Sequence, residues 1–354
     1  MTEKIDVKSL DEKELCEKIT ELGIPAFRGK QIWRQLFTNL KTDFSQMSDI
    51  PKSLLPILEE NFEIRSPRVL EKLVSQLDGT EKYLLTLYDG SVIESVLMRY
   101  EHGNSVCVST QVGCRQGCAF CASTKNGFVR CLSAGEILGQ IETITREHAG
   151  ERDFRVDNIV LMGIGEPLDN YDNVVKFLHL VNDKSGLNVG YRHISLSTCG
   201  LVPEIKRLAE ENLPITLSIS LHAPNDEIRN TIMPVNRRYP IDELLRACRE
   251  YQGVTGRRIS FEYALISGVN DKVEHARELA GRLKGMLCHV NLIPVNPIRE
   301  KNFKKTTKKD LILFTNTLNN SKINATVRRR LGADIDAACG QLRNKKMQER
   351  ENQD

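Results

Sequence analysis

The chain has 354 residues, 40% of them hydrophobic and 27% charged, with a formal net charge of +3. That make-up fits a globular protein with a large α/β core and an appendage, and excludes a disordered or collagen-like chain. No run approaches the roughly 18 apolar residues of a membrane span, and Met1-Thr2-Glu3-Lys4-Ile5-Asp6 lacks the apolar stretch of a secretory signal.

The ten cysteines are therefore expected to be reduced, in a cytoplasmic setting. Residues 1–85 read as a small, mainly helical accessory unit. Residues 10–22 have amphipathic spacing, and residues 27–37 carry a basic face with Trp33 inside it. Asp49-Ile50-Pro51-Lys52-Ser53 marks a helix entry, with Pro51 near the first helical position. Such modules often hold nucleic acid, although packing alone would explain the pattern. Asp89-Gly90 predicts a hairpin turn between strand-like runs at 83–88 and 91–97.

A repeating pattern begins near residue 104. Strand-like runs fall at 106–109, 158–162, 193–197, 215–220, 259–263 and 289–293. Helical stretches separate them. The first is marked by Ser133 and Glu136 as a capping box, with Ile137, Leu138, Ile141 and Ile144 on one face. Others are expected at 173–181, 202–210, 241–251 and 272–283. Alternating strands and helices imply parallel βαβ units, and six of them imply a partial (β/α)6 barrel of the α/β class. In such folds chemistry gathers beyond the carboxyl ends of the strands. The expected division is an accessory unit at 1–85, a core at 86–300 and a basic C-terminal segment at 301–354.

The loop after the first of these strands reads Gly113-Cys114-Arg115-Gln116-Gly117-Cys118-Ala119-Phe120-Cys121. Its C-x₃-C-x₂-C spacing offers three thiolates for a [4Fe–4S] cluster and leaves one iron open, because such clusters usually take four cysteines. The spacing resembles the signature of radical S-adenosylmethionine (SAM) enzymes, in which SAM chelates the open iron. Zinc with a fourth ligand from elsewhere is an alternative. A disulfide framework is a poorer one, since the chain does not look secreted.

Polar residues follow the later strands. Met162-Gly163-Ile164-Gly165-Glu166-Pro167 follows the second, where glycines admit a ligand close to the backbone and the Glu166 carboxylate could accept from an ammonium group. Ser197, Ser220-Leu221-His222 and Asn296 also fall at strand ends. Residues of these types are more often structural hydrogen-bonders than ligands when taken singly. Cys339 lies among small residues, and Cys107 sits on the strand leading into the cysteine loop. A buried structural thiol is the plain alternative for both. Residues 301–354 hold 13 Lys and Arg against 6 Asp and Glu, so a near-neutral body carries a basic end suited to phosphates. Arg328-Arg329-Arg330 is the tightest cluster there, whereas Lys345-Lys346 reads as solvated tail.

Taken together, these residues resemble the RlmN/Cfr family of radical SAM RNA methyltransferases. The likeness runs from Phe27-Arg28-Gly29-Lys30-Gln31-Ile32-Trp33 to Asp336-Ala337-Ala338-Cys339-Gly340-Gln341-Leu342. Ser109-Thr110-Gln111-Val112-Gly113-Cys114, Ser220-Leu221-His222-Ala223-Pro224-Asn225 and Asn291-Leu292-Ile293-Pro294-Val295-Asn296-Pro297 match it in order and spacing.

The resemblance implies methylation of C2 of one adenosine in 23S rRNA and of the adenosine 3′ of the anticodon in some tRNAs. It implies two SAM molecules per turnover. One methylates Cys339. The other, on the cluster held by Cys114, Cys118 and Cys121, gives a radical that takes hydrogen from that methyl. The carbon radical then adds to the base. Glu94 matches the family's proton acceptor, and Cys107 the thiol that attacks Cys339 and leaves a transient disulfide. Gly165, Glu166, Ser197, Ser220, Leu221, His222 and Asn296 match SAM-contacting positions. The expected partners are rRNA and tRNA, an electron donor and a thiol reductant. No membrane is expected, and a monomer is. Two rivals remain: methylation at C8, against which Pro167 weighs, and a non-catalytic RNA-binding protein with a structural cluster.

Overall fold

The computed structural model describes residues 4–295 and 303–335. Asn296 and Cys339 lie outside the described residues. The chain opens with β1 (Ile5–Asp6), α1 (Glu12–Glu21), α2 (Ala26–Phe37), α3 (Leu55–Asn61) and β2 (Phe62–Glu63). A capping box of Asp11 and Glu14 starts α1. Pro51 opens a short 3₁₀ turn that runs into α3, so the expected helix entry is present and is one tight turn longer. Trp33 is buried and stacks on Phe37 at 3.8 Å between ring centroids. This tryptophan is core, and the basic side chains of α2 surround a packing face.

Four strands follow, β3 (Arg68–Val74), β4 (Glu81–Thr86), β5 (Val92–Tyr100) and β6 (Gly103–Cys107), joined as antiparallel neighbours. The expected Asp89-Gly90 turn links β4 to β5. Residue 85 lies within β4. A small antiparallel pair, β7 (Gln111–Gly113) and β8 (Phe128–Cys131), comes next.

Regular alternation then sets in: α4 (Ala134–Glu147), β9 (Val156–Leu161), α5 (Tyr171–Asn182), β10 (Ile194–Thr198), α6 (Val202–Glu210), β11 (Thr216–Ser220), α7 (Asp226–Ile232) and α8 (Ile241–Thr255). β12 (Ile259–Leu265), α9 (Val273–Leu283), β13 (Cys288–Pro294), α10 (Lys308–Asn320) and β14 (Ala325–Val327) complete it.

Ten strands form one mixed sheet in the order β14-β13-β12-β11-β10-β9-β6-β5-β4-β3. From β6 to β14 every pairing is parallel. The six expected parallel strands are all there. The sheet extends beyond these six, by the short strand-like run before Arg328 as a seventh parallel strand at one end and by the antiparallel β3–β5, which include the expected hairpin, at the other. Ile159, Leu196, Leu217, Phe261 and Val290 carry the buried apolar stripe across the parallel strands. The Ser133–Glu136 capping box starts α4 as expected.

The N-terminal helices dock on α4 at close range. A Cβ added to Gly135 would stand 2.7 Å from the Lys8 carbonyl carbon, and one added to Gly139 would stand 2.5 Å from the Pro67 ring. Small residues one turn apart thus admit another backbone. At that contact the fully buried Lys8 ammonium donates to Glu142 at 2.6 Å and to the Leu36 carbonyl at 3.0 Å, and lies 4.2 Å over the Phe37 ring. A buried ammonium is tolerated only with such partners. Among the described residues, no helix is long and apolar enough to cross a membrane.

Candidate functional site

The carboxyl ends of the parallel strands surround a cavity of about 310 Å³. Cys114, Cys118 and Cys121 line one wall, and Gly165, Glu166, Ser197, Ser220 and His222 line the others. Residues from four separate stretches of chain therefore meet where a parallel sheet places its chemistry.

The cysteine loop is held at both ends. Gly113 has φ +82°, and a Cβ there would fall within 1.8 Å of the Gly127 carbonyl oxygen, so only glycine fits. Cys114 N–H donates to that same carbonyl at 3.1 Å, and Ala119 N–H donates to the Ile232 carbonyl at 2.8 Å. Inside the loop, Cys121 N–H donates to the Cys118 carbonyl at 3.2 Å. The β7–β8 hairpin, invisible in the sequence pattern, fixes the loop from behind.

Burial pushes the Cys114 thiol up to about 12, with Glu166 and Cys121 adding to the rise. Burial raises Cys118 further still, followed by Cys121 and Cys114. Two buried sulfurs that resist deprotonation, Cys114 and Cys118, need bound positive charge to become thiolates. The donor set suits iron, since thiolates favour soft metals and clusters. Among the described residues no three Cys, His, Asp or Glu side chains meet at the spacing of a single metal ion. Cys114, Cys118 and Cys121 all line the same cavity, and a cluster would take one sulfur per iron.

The Met162–Pro167 stretch is stitched to the strand that leads into the cysteines. Gly163 N–H donates to the Val108 carbonyl at 3.0 Å, Gln111 N–H to the Ile164 carbonyl at 3.1 Å, and Glu166 N–H to the Gln111 Oε1 at 2.9 Å. A Cβ on Gly163 would stand 2.6 Å from the Val108 carbonyl oxygen, so this approach needs glycine. The Glu166 carboxylate is buried and accepts from Leu168 N–H at 3.1 Å and Cys199 N–H at 2.7 Å. Burial raises its pKa, and these amides oppose the rise. Glu166 therefore ties the ends of β9 and β10 together as well as facing the cavity.

His222 has a left-handed backbone, φ +57°, uncommon for a non-glycine residue and a sign of imposed geometry. Ala264 N–H donates to its Nδ1 at 2.9 Å, and Asn270 Nδ2 donates to its carbonyl at 2.7 Å. Burial, helped by Arg229, pushes its pKa down to about 3. The imidazole is neutral, and with Nδ1 accepting, the proton sits on Nε2. Phe120, the aromatic before the last cysteine, meets the His222 ring edge-on at 4.7 Å. That contact joins the cysteine loop to the end of β11. Leu221 is buried; its N–H donates to the Glu262 carbonyl and its own carbonyl accepts from Arg229. It supports the wall from behind rather than lining it.

Glu94 and Cys107 lie on the neighbouring antiparallel strands. Lys82 Nζ stands 3.2 Å from the buried Glu94 carboxylate. The Cys107 thiol is raised to about 11 by burial, with Arg328 the foremost opposing charge and Glu94 and Lys82 close enough to act on it. The two expected catalytic residues within the described chain are thus in one neighbourhood.

Sequence reading missed three groups at the site. Glu262 is buried in β12, accepts from Asn291 at 2.8 Å and Ser260 at 3.1 Å, and lines the cavity. Its signal is a carboxylate inside an apolar strand run, which alternation disguises as an outward residue. Arg229 is fully buried, and its guanidinium donates to the carbonyls of Cys199, Ser220 and Leu221. It ties the ends of β10 and β11 together. Arg328 reaches the cavity wall, although charge clustering alone suggested only an outer surface.

Two family models match: the radical SAM superfamily over residues 108–280, and the ribosomal RNA large subunit methyltransferase N-terminal domain over residues 5–64. A Clostridium perfringens protein named "Probable dual-specificity RNA methyltransferase RlmN" is 57% identical over 94% of both chains. One of the same name from Alkaliphilus oremlandii is 55% identical over 98% of this chain and 99% of its own. The crystal structure of a radical SAM methyltransferase from Sphaerobacter thermophilus superposes with a TM-score of 0.90 at 43% identity, covering 95% of this chain and 98% of that one. With the cysteine wall, the mixed sheet and the N-terminal module all accounted for, the chain belongs to the RlmN family of radical SAM RNA methyltransferases.

Proposed function

We propose that this chain methylates C2 of adenosine, in 23S rRNA and in tRNA, by radical SAM chemistry. The observation that carries the reading is the single cavity lined by Cys114, Cys118, Cys121, Glu166, Ser220 and His222. Cys114, Cys118 and Cys121 would hold a [4Fe–4S] cluster, which together with SAM would supply radical chemistry for a base carbon that has no lone pair to alkylate.

The protein's own groups do the rest. Gly163 and Gly165 let the backbone close on the ligand, and Glu166 fixes that loop and offers a carboxylate for an ammonium group. Ser197 and Ser220 offer hydroxyls, and neutral His222 offers an Nε2–H donor. Leu221 and Arg229 hold this wall in place. Asn296 is assigned with them on the family pattern. Glu94 accepts the proton lost from C2, and Lys82 Nζ lies 3.2 Å from its carboxylate. Cys339 carries the methyl group, and Cys107 attacks the Cys339 sulfur to release the product. Cys107 must first shed its proton, and Arg328 is the cation placed to favour that. The resulting disulfide needs a thiol reductant, and the cluster an electron donor.

Residues 1–85 and the basic segment 301–354 would hold the RNA, with residues 86–300 as the catalytic core. The target base must leave its stack to reach the cavity. Methylation at C2 rather than C8 is favoured by Pro167 and by the names of the relatives. Incubation with RNA, SAM and reductant under anaerobic conditions tests the division of labour. Cys107→Ala is expected to accumulate a covalent protein–RNA adduct and Cys339→Ala to form none. Equal cross-linking in the two variants overturns the assignment. Mass spectrometry of the nucleosides places the new methyl on C2 or C8.

A further inference from the structure

The two ends of the ten-stranded sheet, β14 and β3, are as far apart as the strand order allows. A single stretch of chain nevertheless joins them. Arg328 N–H donates to the Leu292 carbonyl at 2.8 Å, extending β14 along β13, and its side chain lines the cavity. Four residues later, Gly332 N–H donates to Asp78 Oδ2 in the β3–β4 turn at 2.9 Å. Asp334 then accepts twice from the same turn, from Ser75 Oγ at 2.6 Å and from Gln76 N–H at 2.9 Å. Four residues span at most roughly 14 Å, so the strap crosses the open side of the barrel beside the cavity.

The turn is built to receive it. Ser75 N–H donates to the Thr80 carbonyl at 2.8 Å, and Thr80 N–H donates to Asp78 Oδ1 at 3.0 Å. That leaves the other Asp78 oxygen for Gly332. Ser75 is buried, and its hydroxyl oxygen also accepts from Leu77 N–H at 3.2 Å. The Ser75 hydroxyl is the first cause holding Asp334 below the usual carboxylate range. Burial opposes the same shift at Asp78, and the Gly332 amide together with Thr80 outweighs it. Both carboxylates are thus ionised acceptors at neutral pH.

We propose that the β3–β4 turn is a dock that fixes the strap Arg328–Ile335, with Asp78 and Asp334 as positioning residues for the reaction. Cys339 follows Asp334 by five residues, so the dock sets the point from which the chain carrying that thiol departs. The inference rests on the reading of Cys339 as methyl carrier. Neither aspartate touches the cavity, and neither is needed to hold iron or SAM.

The test uses the full chain, reconstituted anaerobically, with D78A/D334A as the undocked variant. Amide hydrogen exchange at Gln76 and Gly332 is expected to quicken by about tenfold for each hydrogen bond lost. Iron content and SAM binding should stay unchanged. Methylated adenosine formed per 5′-deoxyadenosine released should fall by about tenfold or more, as misplacement of a reacting group does. D334N, which keeps one acceptor oxygen, should recover part of both losses. Unchanged exchange overturns the dock, and faster exchange with unchanged coupling overturns its positioning role. Should the double variant lose iron, D334A alone removes the acceptor of Gln76 N–H and gives the same two readings at that amide and in the coupling. If Cys339→Ala still methylates adenosine, the methyl-carrier reading fails, while the exchange result continues to judge the dock.

Discussion

The parallel and antiparallel halves of the sheet both bury a glutamate near the reaction, and they hold it by opposite means. Glu166 stands at the end of β9, where its carboxylate takes backbone amides from Leu168 and Cys199. Glu94 stands within β5, where the Lys82 ammonium of β4 faces it at 3.2 Å. Strand ends in a parallel sheet leave amides unpaired, and these serve a carboxylate without adding charge. Inside an antiparallel ladder every amide is already committed, so a buried carboxylate needs a side-chain cation. The first arrangement fixes a loop, whereas the second pairs a buried carboxylate with a buried cation.

The sharpest way to break this comparison is Lys82→Met. It strips the ammonium from a buried carboxylate, and breaking such pairs costs about 3–5 kcal/mol. Denaturant unfolding should show that loss, and the added change Glu94→Gln should return much of it while leaving methylation abolished. Glu166→Ala comes next. It leaves two buried amides without their acceptor, at about 1–3 kcal/mol each, and calorimetric SAM binding should weaken by about tenfold or more. Glu166→Gln, which keeps one oxygen, should lose less on both measures. A larger effect at Glu166 than at Lys82 would reverse the contrast drawn above.

The effect smallest per unit of the variable changed is a pH slope. His222 is held down to about 3 in the folded chain, whereas an unfolded histidine titrates near its ordinary value of about 6.5. Between those limits the unfolded chain takes up a proton that the native one refuses. Stability is therefore full above that ordinary value and falls as pH drops towards the folded one, by up to about 1.4 kcal/mol per pH unit. His222→Gln should flatten the part of the pH–stability curve between those limits.

Much of this was legible in the chain alone. The six parallel strands announced themselves because each is a short apolar run between helices whose buried faces recur at helical spacing. Ser133 and Glu136 marked the start of α4 by chemistry that reads the same in sequence and in space. The cysteine loop was legible because its three thiols fall within eight residues of chain. What sequence hid is what long-range pairing supplies. β14, the strand-like run before Arg328, is three residues long, and nothing in Ala325-Thr326-Val327 names β13 as its partner. α10 buries Phe314 and Leu318, but the unbroken apolar run Leu311-Ile312-Leu313-Phe314 blurs its periodicity. β3 and β4 joined the main sheet although local pattern set them with the helical appendage, because a strand's partner is not written in its own residues. Arg229 carries no mark in the sequence, and only folding shows that its guanidinium ends among three carbonyls.

The buried Lys8 ammonium has a consequence for synthesis. Its carboxylate partner, Glu142, is 134 positions further along the chain, a stretch that a ribosome takes on the order of ten seconds to make. Throughout that interval the N-terminal helices have emerged with an interior charge unneutralised and an apolar flank uncovered. The amino-terminal piece cannot finish folding as it leaves the exit tunnel. It must wait, shielded or tethered, for α4 to arrive.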